Sequence, residues 1–153
     1  MDKSYFEKYI KERYQTEVDW YDTKSTHNKK IYEILQVTII ISTILTPVLI
    51  VLELTVKHEL AYVSLIFAVI VAISASFLRT FKYHDNWINY RSICETLRKE
   101  IHLYTAQVDE YSNTKDPEAL FIKRVESLIS RENTLWVSTY QEEKKSKEDI
   151  EHP

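Results

Sequence analysis

ILQVTIIISTILTPVLIVL at residues 34–52 and LAYVSLIFAVIVAISASFL at residues 60–78 are the stretches that decide the fold. Neither contains Asp, Glu, Lys, Arg or His, and residues 53–59 join them. As a helix, each would extend about 28 Å, close to the roughly 30 Å thickness of a hydrocarbon core. The aliphatic residues of the first stretch outweigh the cost of Gln36, Pro47 and the hydroxyls. The pattern therefore predicts a transmembrane helical hairpin.

A soluble four-helix bundle is the competing interpretation, because a hairpin buried in such a bundle also produces long apolar stretches. Bundle helices normally keep a polar stripe on the outer face, however, and these two stretches have too few polar residues for one. We therefore expect an all-α membrane protein, in which the lipid bilayer is the first partner.

Cations near the two stretches predict the orientation of the hairpin. Lys24, Lys29 and Lys30 precede the first stretch, and Arg79, Lys82 and Arg91 follow the second. Only Lys57 lies in the connection between them. Because cytoplasmic flanks carry an excess of Lys and Arg, we expect a multi-pass protein of the inner (plasma) membrane with both termini cytoplasmic.

Composition excludes several classes of function. The chain has 153 residues, a formal net charge of -3, one cysteine and no glycine. Mixed charges argue against nucleic acid as a partner. The absence of glycine excludes the P-loop and the dinucleotide-binding fingerprint. Cys94 alone forms no internal disulfide, and the five histidines match no metal motif. We expect neither an enzyme nor a cofactor, and no cleaved signal peptide.

The remaining sequence predicts a cytoplasmic helical module. Residues 1–33 form an aromatic-rich amphipathic helix with Asp2 as its N-cap. Residues 34–78 are the hairpin, residues 79–140 a second helical hairpin, and residues 141–153 a charged tail. No Gly or Pro interrupts residues 60–108, which predicts one continuous helix. A new helix should begin at Asp116-Pro117, because Asp is a good N-cap and Pro is well tolerated at the first helical position.

A heptad pattern indicates how the module packs. Apolar or aromatic residues recur at alternating spacings of four and three, which is typical of a coiled coil. The pattern consists of Tyr83, Trp87, Tyr90, Cys94, Leu97, Ile101, Tyr104 and Val108. It does not decide whether these residues pack within one chain or between chains. In the final helix, the predicted packing residues are Leu120, Phe121, Val125, Leu128, Leu135, Trp136 and Tyr140.

Both membrane stretches contain candidate functional residues. The first carries hydroxyls on one helical face and a proline that should bend the helix. The candidates for a pore lining or gate are Thr38, Ser42, Thr46, Pro47 and Glu53. These hydroxyls could equally bond to carbonyls of the preceding turn. The second stretch has a line of small residues that suits close helix packing. It consists of Ala61, Ser64, Ala68, Ala72 and Ala75.

Charged residues of the module predict a network between its helices. We expect Arg91, Glu95, Arg98 and Glu100 to face Arg124, Glu126, Arg131 and Glu132. A structural network is favoured over a ligand-binding site, although a signal could rearrange it. The candidate network residues are Trp87, Tyr90, Arg91, Glu95, Glu126, Arg131 and Glu132.

Three groups of residues resemble motifs of the SLATT superfamily. They are Trp20-Tyr21-Asp22-Thr23-Lys24 with Asn28-Lys29-Lys30, Trp87-Ile88-Asn89-Tyr90-Arg91 with Glu95, Leu97 and Glu100, and Phe121-Ile122-Lys123-Arg124-Val125-Glu126 with Arg131-Glu132-Asn133 and Trp136. The resemblance implies a two-transmembrane effector of bacterial conflict systems that forms pores or perturbs membranes, often in defence against phage. It also implies a trigger in trans, either a signalling or sensor protein or a nucleotide signal.

The leading hypothesis is an oligomeric channel or pore-forming effector, gated through its cytoplasmic helices. One hairpin cannot enclose a pore, so this function requires a homo-oligomer. The first alternative is a non-conducting membrane scaffold that recruits a cytoplasmic partner. The second is a soluble bundle that binds an apolar ligand.

Overall fold

The computed structural model describes residues 2–55 and 61–130, which are helical apart from short connections. In chain order the elements are α1 (Lys3–Tyr9), a π-helical turn (Ile10–Tyr14), α2 (Gln15–Thr55), α3 (Ala61–Phe81), α4 (Tyr83–Ala106), a 3-10 turn (Asp109–Asn113) and α5 (117–130). No strand occurs in either described range, so the expected all-α class is confirmed there.

The chain divides into two compact units. One contains residues up to Asp19 together with those from Ile93 onward, and we call it the terminal cluster. The other contains Trp20–Ser92, and we call it the hairpin unit. Helices α2 and α4 contribute residues to both units.

The π-helical turn corrects the register of the N-terminal apolar residues. The buried positions Tyr14, Val18, Tyr21 and Ser25 alternate spacings of four and three, and continuing this alternation backwards would reach positions 11 and 7, which are Lys and Glu. The apolar residues lie one position earlier, at Ile10 and Phe6. A π turn contains one extra residue, shown by the Gln15 N–H that donates to the Ile10 carbonyl. Phe6 therefore reaches the buried face.

Two helix starts are confirmed where the sequence predicted them. Asp2 accepts a hydrogen bond from the Ser4 N–H at 3.1 Å, and α1 begins at Lys3. Asp116 accepts one from the Ala119 N–H at 3.0 Å, immediately before α5. In both cases a carboxylate satisfies an N–H group that has no partner within the helix.

The prediction of one continuous helix over residues 60–108 is wrong. Helix α3 ends at Phe81 and α4 begins at Tyr83, because Lys82 takes a left-handed conformation with φ of 47°. The Asn86 side-chain amide donates to the Phe81 carbonyl at 3.0 Å, which caps the end of α3. A left-handed residue commonly ends a helix, and in a chain without glycine a lysine occupies that position. The absence of Gly and Pro therefore did not reveal this break in the helix.

The core of the terminal cluster is aromatic. The Phe121 ring lies 5.8 Å from Phe6, 5.4 Å from Tyr14 and 5.3 Å from Tyr104 between ring centroids. Other buried apolar residues of this cluster are Val18, Cys94, Leu97, Tyr111, Val125 and Ile129. The heptad prediction is thus confirmed at its centre. Val108 lies beyond the end of α4 and is 46% exposed.

In the hairpin unit, α2 and α4 run antiparallel. Contacts pair Asp22 with Arg91, Ser25 with Trp87, and Tyr32 with His84, so the residue number rises in one helix as it falls in the other. Helices α2 and α3 also carry the two segments that are long and apolar enough to cross a membrane.

Candidate functional site

The hydroxyl residues of α2 have structural partners within the chain. Ser42 is only 3% exposed. The Thr38 hydroxyl donates to the Ile34 carbonyl at 2.8 Å, and the Thr46 hydroxyl donates to the Ser42 carbonyl at 2.7 Å. Bonds of this kind allow a hydroxyl to lie in an apolar medium without water. On this face Ser42 is buried and Thr38 and Thr46 are half-buried in the single chain, and a pore lining there stays a prediction.

The other two pore or gate candidates of α2 are Pro47 and Glu53, and their positions do not test that role. Pro47 lies inside α2, which continues without a break to Thr55, and its side chain is exposed. Glu53 falls within the same helix, but its side chain lies outside what the structure describes.

The face that α3 buries differs from the predicted line of small residues. Ser64 is buried as expected, and Ser74 is buried with it. Ala68, Ala72 and Ala75 are exposed, and the side chain of Ala61 lies outside the described atoms. The half-buried residues between the two serines are Phe67, Ile70 and Val71. Larger side chains thus occupy the contact within the chain, and the alanines face outward.

Aromatic and cationic side chains gather near the start of α4, in the hairpin unit. The Trp87 ring stacks on Tyr32 with centroids 6.4 Å apart, and the Lys29 ammonium lies 5.5 Å from the Trp87 ring centre. Tyr90 meets the edge of Trp20 at 5.7 Å. Tryptophan, tyrosine and lysine are the side chains that suit the boundary between lipid and water.

Arg91 has a partner outside the predicted set. Its guanidinium donates to a carboxylate oxygen of Asp22, a residue of α2, at 3.2 Å. Glu95 pairs with Arg98 of its own helix at 3.6 Å. Arg131 and Glu132 lie outside the described residues.

The predicted network between α4 and α5 is confirmed at one pair, Glu100 with Arg124. Glu100 is 3% exposed, and its Oε1 accepts a hydrogen bond from the Tyr111 hydroxyl at 2.5 Å. Arg124 Nε lies 2.5 Å from the same oxygen. The Nε–H does not point well enough at that oxygen to count as a hydrogen bond, so we describe this contact as an ion pair. A second carboxylate, Glu110, lies 2.8 Å from Arg124 Nη1.

These contacts shift the pKa values of the residues that make them. The carboxylates of Glu110 and Glu100 raise the pKa of Arg124, so its positive charge is fixed. Burial, and then the hydrogen bond to Glu100, raises the pKa of Tyr111, so this phenol stays protonated as a donor. The buried carboxylate therefore has both a neutral donor and a permanent cation.

A second polar group links α5 with the π turn. The Tyr9 hydroxyl donates to Glu126 Oε1 at 2.9 Å, and Arg13 Nε donates to the same oxygen at 3.3 Å. Arg13 also pairs with Glu17. Burial disfavours the charged form of Glu126, but the hydrogen bonds from Arg13 and Tyr9 outweigh it and lower the pKa of this carboxyl. The predicted partner of Glu126 was on α4, and this part of the prediction is wrong.

An open cavity of about 330 Å³ lies beside the Glu100–Arg124 pair. Its polar lining comes from α4, the 3-10 turn and α5, and consists of Thr96, Glu100, Glu110, Lys123, Arg124 and Ser127. This volume is at the lower end of the range of small-molecule sites. Among the residues that the structure describes, no group of three or more His, Cys, Asp and Glu side chains could hold a metal ion.

A family profile described as "Protein of unknown function (DUF4231)" matches residues 16–119. The chain belongs to the DUF4231 family. This match neither confirms nor excludes the resemblance to the SLATT superfamily. No curated protein and no solved structure gives a significant match.

The polar contact residues of this DUF4231 chain that the sequence did not reveal come mainly from connections and from the N-terminal helix. Tyr111 and Glu110 lie in the 3-10 turn, and Tyr9 and Arg13 lie at the π turn. One signal was available: Glu100 follows Leu97 by three residues, which places both on one helical face. A charged residue on a buried face needs partners, which agrees with the prediction of Glu100 as a network residue.

Proposed function

We propose that the DUF4231 chain is an inner-membrane protein whose helices α2 and α3 cross the bilayer as a hairpin. The exposure of their apolar surfaces supports this proposal. Of the most apolar window in each span, 6% is buried for the first and 11% for the second. A core helix of a soluble protein would be mostly buried, whereas lipid provides the missing apolar surroundings.

The cations on the flanks support a cytoplasmic location for both ends of the hairpin. Positively charged residues precede α2's apolar part and follow that of α3, as the positive-inside rule requires. Cysteine labelling tests this topology. The cysteine of Lys57→Cys should react with a membrane-impermeant reagent from outside the cell, whereas that of Lys24→Cys should react only after lysis. The reverse pattern would contradict the orientation.

The function that the geometry supports best is an oligomeric channel or pore-forming effector. The observation that carries it is the polar seam of the hairpin, formed by the buried serines Ser42, Ser64 and Ser74. Serine is common in contacts between membrane helices, where it allows close approach and can also present its hydroxyl to a neighbouring subunit. If several hairpins assembled with their seams towards one axis, the same hydroxyls would line water. In the closed form of the channel Ser42 would be covered by protein, and in the open form it would be exposed to water.

Flux from liposomes tests this function. Purified chain in liposomes should release ions or a small dye, and Ser42→Leu or Thr46→Leu should reduce the release severalfold. Ser42→Ala distinguishes loss of the hydroxyl from overpacking by leucine. Thr43→Leu is the matched control, because Thr43 is exposed on the same helix. A tight bilayer at every protein concentration would refute the proposal.

A membrane-anchored scaffold is the second candidate. Thr38 and Thr46 already have hydrogen-bond partners within their own helix, which is all that a static anchor requires. In that case Leu97→Asp, placed in the buried core, should abolish recruitment of a cytoplasmic partner, while changes to the seam should have no effect. Subunit number in nanodiscs separates the two functions, because a ring of four or more favours a channel and a monomer or dimer favours the scaffold.

The role in bacterial conflict rests on the resemblance to the SLATT superfamily alone. It places the trigger in trans, as a sensor protein or a nucleotide signal. If the hairpin conducts, uncontrolled expression of the chain should depolarise a bacterial host, and Ser42→Leu should restore growth at equal protein level. Equal toxicity of both chains would argue against conduction as the cause.

A further inference from the structure

The cavity beside Arg124 combines features that suit a small anion. Two of its lining residues, Lys123 and Arg124, are cations from adjacent positions of α5. Thr96 and Ser127 add hydroxyl groups to the lining. An arginine fork, an ammonium group and hydroxyls are the donors with which proteins bind oxyanions.

The two carboxylates of the cavity differ sharply in exposure. The Glu100 side chain is 4% exposed and that of Glu110 is 61% exposed, although both contact Arg124. Glu100 is held by Tyr111 as well as by Arg124, so it is a fixed part of the site. Glu110 reaches Arg124 from the solvent side, where an ion pair contributes little and is easily exchanged.

The connection that carries Glu110 is conformationally strained. Gln107 and Asp109 both have positive φ values, 54° and 59°, and Asp109 is the first residue of the 3-10 turn. Residues other than glycine pay an energetic cost in this region of backbone conformation. Rearrangement of this connection would relieve the backbone strain. The ion pair between Glu110 and Arg124 opposes that rearrangement.

We propose that the cavity is a binding site for the phosphate group of a small ligand, which displaces Glu110 from Arg124. Before displacement, the lining carries Glu100, Glu110, Lys123 and Arg124, and the charges of these four residues cancel. Once Glu110 has moved away, a single positive charge remains to attract the ligand. Arg124 Nη1 passes from Glu110 to the phosphate, while Arg124 Nε stays with Glu100. This proposal does not depend on whether the hairpin conducts.

Inorganic phosphate is the probe for this site. Full-length chain in zwitterionic nanodiscs is unfolded thermally at increasing phosphate concentration, with chloride holding the ionic strength constant. A ligand that binds only the folded state raises the unfolding temperature in a saturable way, which yields a dissociation constant. Glu110→Gln should tighten phosphate binding about two- to fivefold, the range expected for loss of a competing surface ion pair. Lys123→Gln should weaken it about tenfold.

Matched controls lie close by in the chain, Lys115 in the connection before α5 and Glu118 on α5. Glu118→Gln and Lys115→Gln change the same charges outside the cavity lining, and should leave the dissociation constant unchanged. The proposal is overturned if phosphate gives no saturable effect with either the unmodified chain or Glu110→Gln, or if Lys123→Gln binds as well as Lys115→Gln.

A second arm identifies the source of the phosphate group. Nanodiscs that contain phosphatidate should compete with free phosphate if the natural ligand is a lipid headgroup, and the competition should vanish with Lys123→Gln. Unchanged affinity for free phosphate would assign the site to a soluble phosphorylated molecule. Either result supports the anion site, and the two results differ only in the source of the anion.

Discussion

Tyr14 should make the terminal cluster sensitive to alkaline pH. Its side chain is 4% exposed, and its hydroxyl donates to the Leu97 carbonyl at 2.9 Å. Burial raises the pKa of Tyr14 from 10.0 to about 12. Because the folded-state pKa is raised, the neutral phenol contributes stability that is fully present below pH 10 and is lost as the pH rises towards 12.

The size of this effect follows from the two pKa values. Between pH 7 and pH 11, a pKa of 10.0 in the unfolded chain and about 12 in the folded chain lower the free energy of unfolding by about 1.4 kcal/mol. At pH 7, Tyr14→Phe loses one buried hydrogen bond, which costs about 1 kcal/mol. The variant should therefore be less stable than the unmodified chain at pH 7, and slightly more stable at pH 11.

Urea unfolding in mild detergent, followed by far-UV circular dichroism, measures this difference. Other tyrosines with a raised pKa, such as Tyr9 and Tyr111, are common to both proteins and cancel in the comparison. Tyr5→Phe is the matched control, because Tyr5 lies in α1 and is 58% exposed. If the stability difference between Tyr14→Phe and the unmodified chain is the same at pH 7 and pH 11, the reasoning is refuted.

Three further predictions concern other parts of the fold. Phe121→Ala should lower the free energy of unfolding by about 3–5 kcal/mol, and Phe121→Leu by much less. The alanine leaves a cavity among three aromatic rings, whereas leucine fills most of it. Similar losses for both variants would contradict this packing. Lys82→Gly should stabilise the chain against SDS unfolding by about 0.5–1 kcal/mol. Glycine removes the energetic cost of a positive φ, and this gain exceeds the loss from the greater entropy of the unfolded chain. A loss of stability would show that the backbone at Lys82 is not strained. The pKa of the Glu126 carboxyl is lowered in the folded chain, so its charge contributes stability above pH 4.5, the ordinary pKa of this group. That stability is lost as the pH falls through the folded-state pKa. Glu126→Gln should therefore flatten the acid side of the curve of stability against pH, and an unchanged curve would count against the contacts with Tyr9 and Arg13.

Features that depend on a few neighbouring residues were predictable from the sequence. Asp2 and Asp116 mark helix starts because a carboxylate satisfies N–H groups two or three residues away. The heptad spacing likewise identified Cys94 and Leu97 as buried, because side-chain direction along a helix follows from its period.

Features that depend on distant residues were not predictable in the same way. The break at Lys82 lacks the usual glycine, and its cap comes from the Asn86 side chain. The buried face of α3 consists of serines and larger apolar residues. Because nearly every position of this helix is apolar, the elements that pack against it decide which face is buried. The partners of Arg91 and Glu126 come from the N-terminal helices, and neither pair has a sequence signal.

Full burial of Cys94 makes the chain well suited to thiol chemistry at other positions. It is the sole cysteine of the sequence, it is 0% exposed, and its Sγ lies 3.7 Å from the Val18 carbonyl oxygen. A thiol buried in this way reacts slowly with maleimides, because the reagent has no access to the sulfur. Spin labels or fluorophores can thus be attached to introduced cysteines while the native residue stays in place.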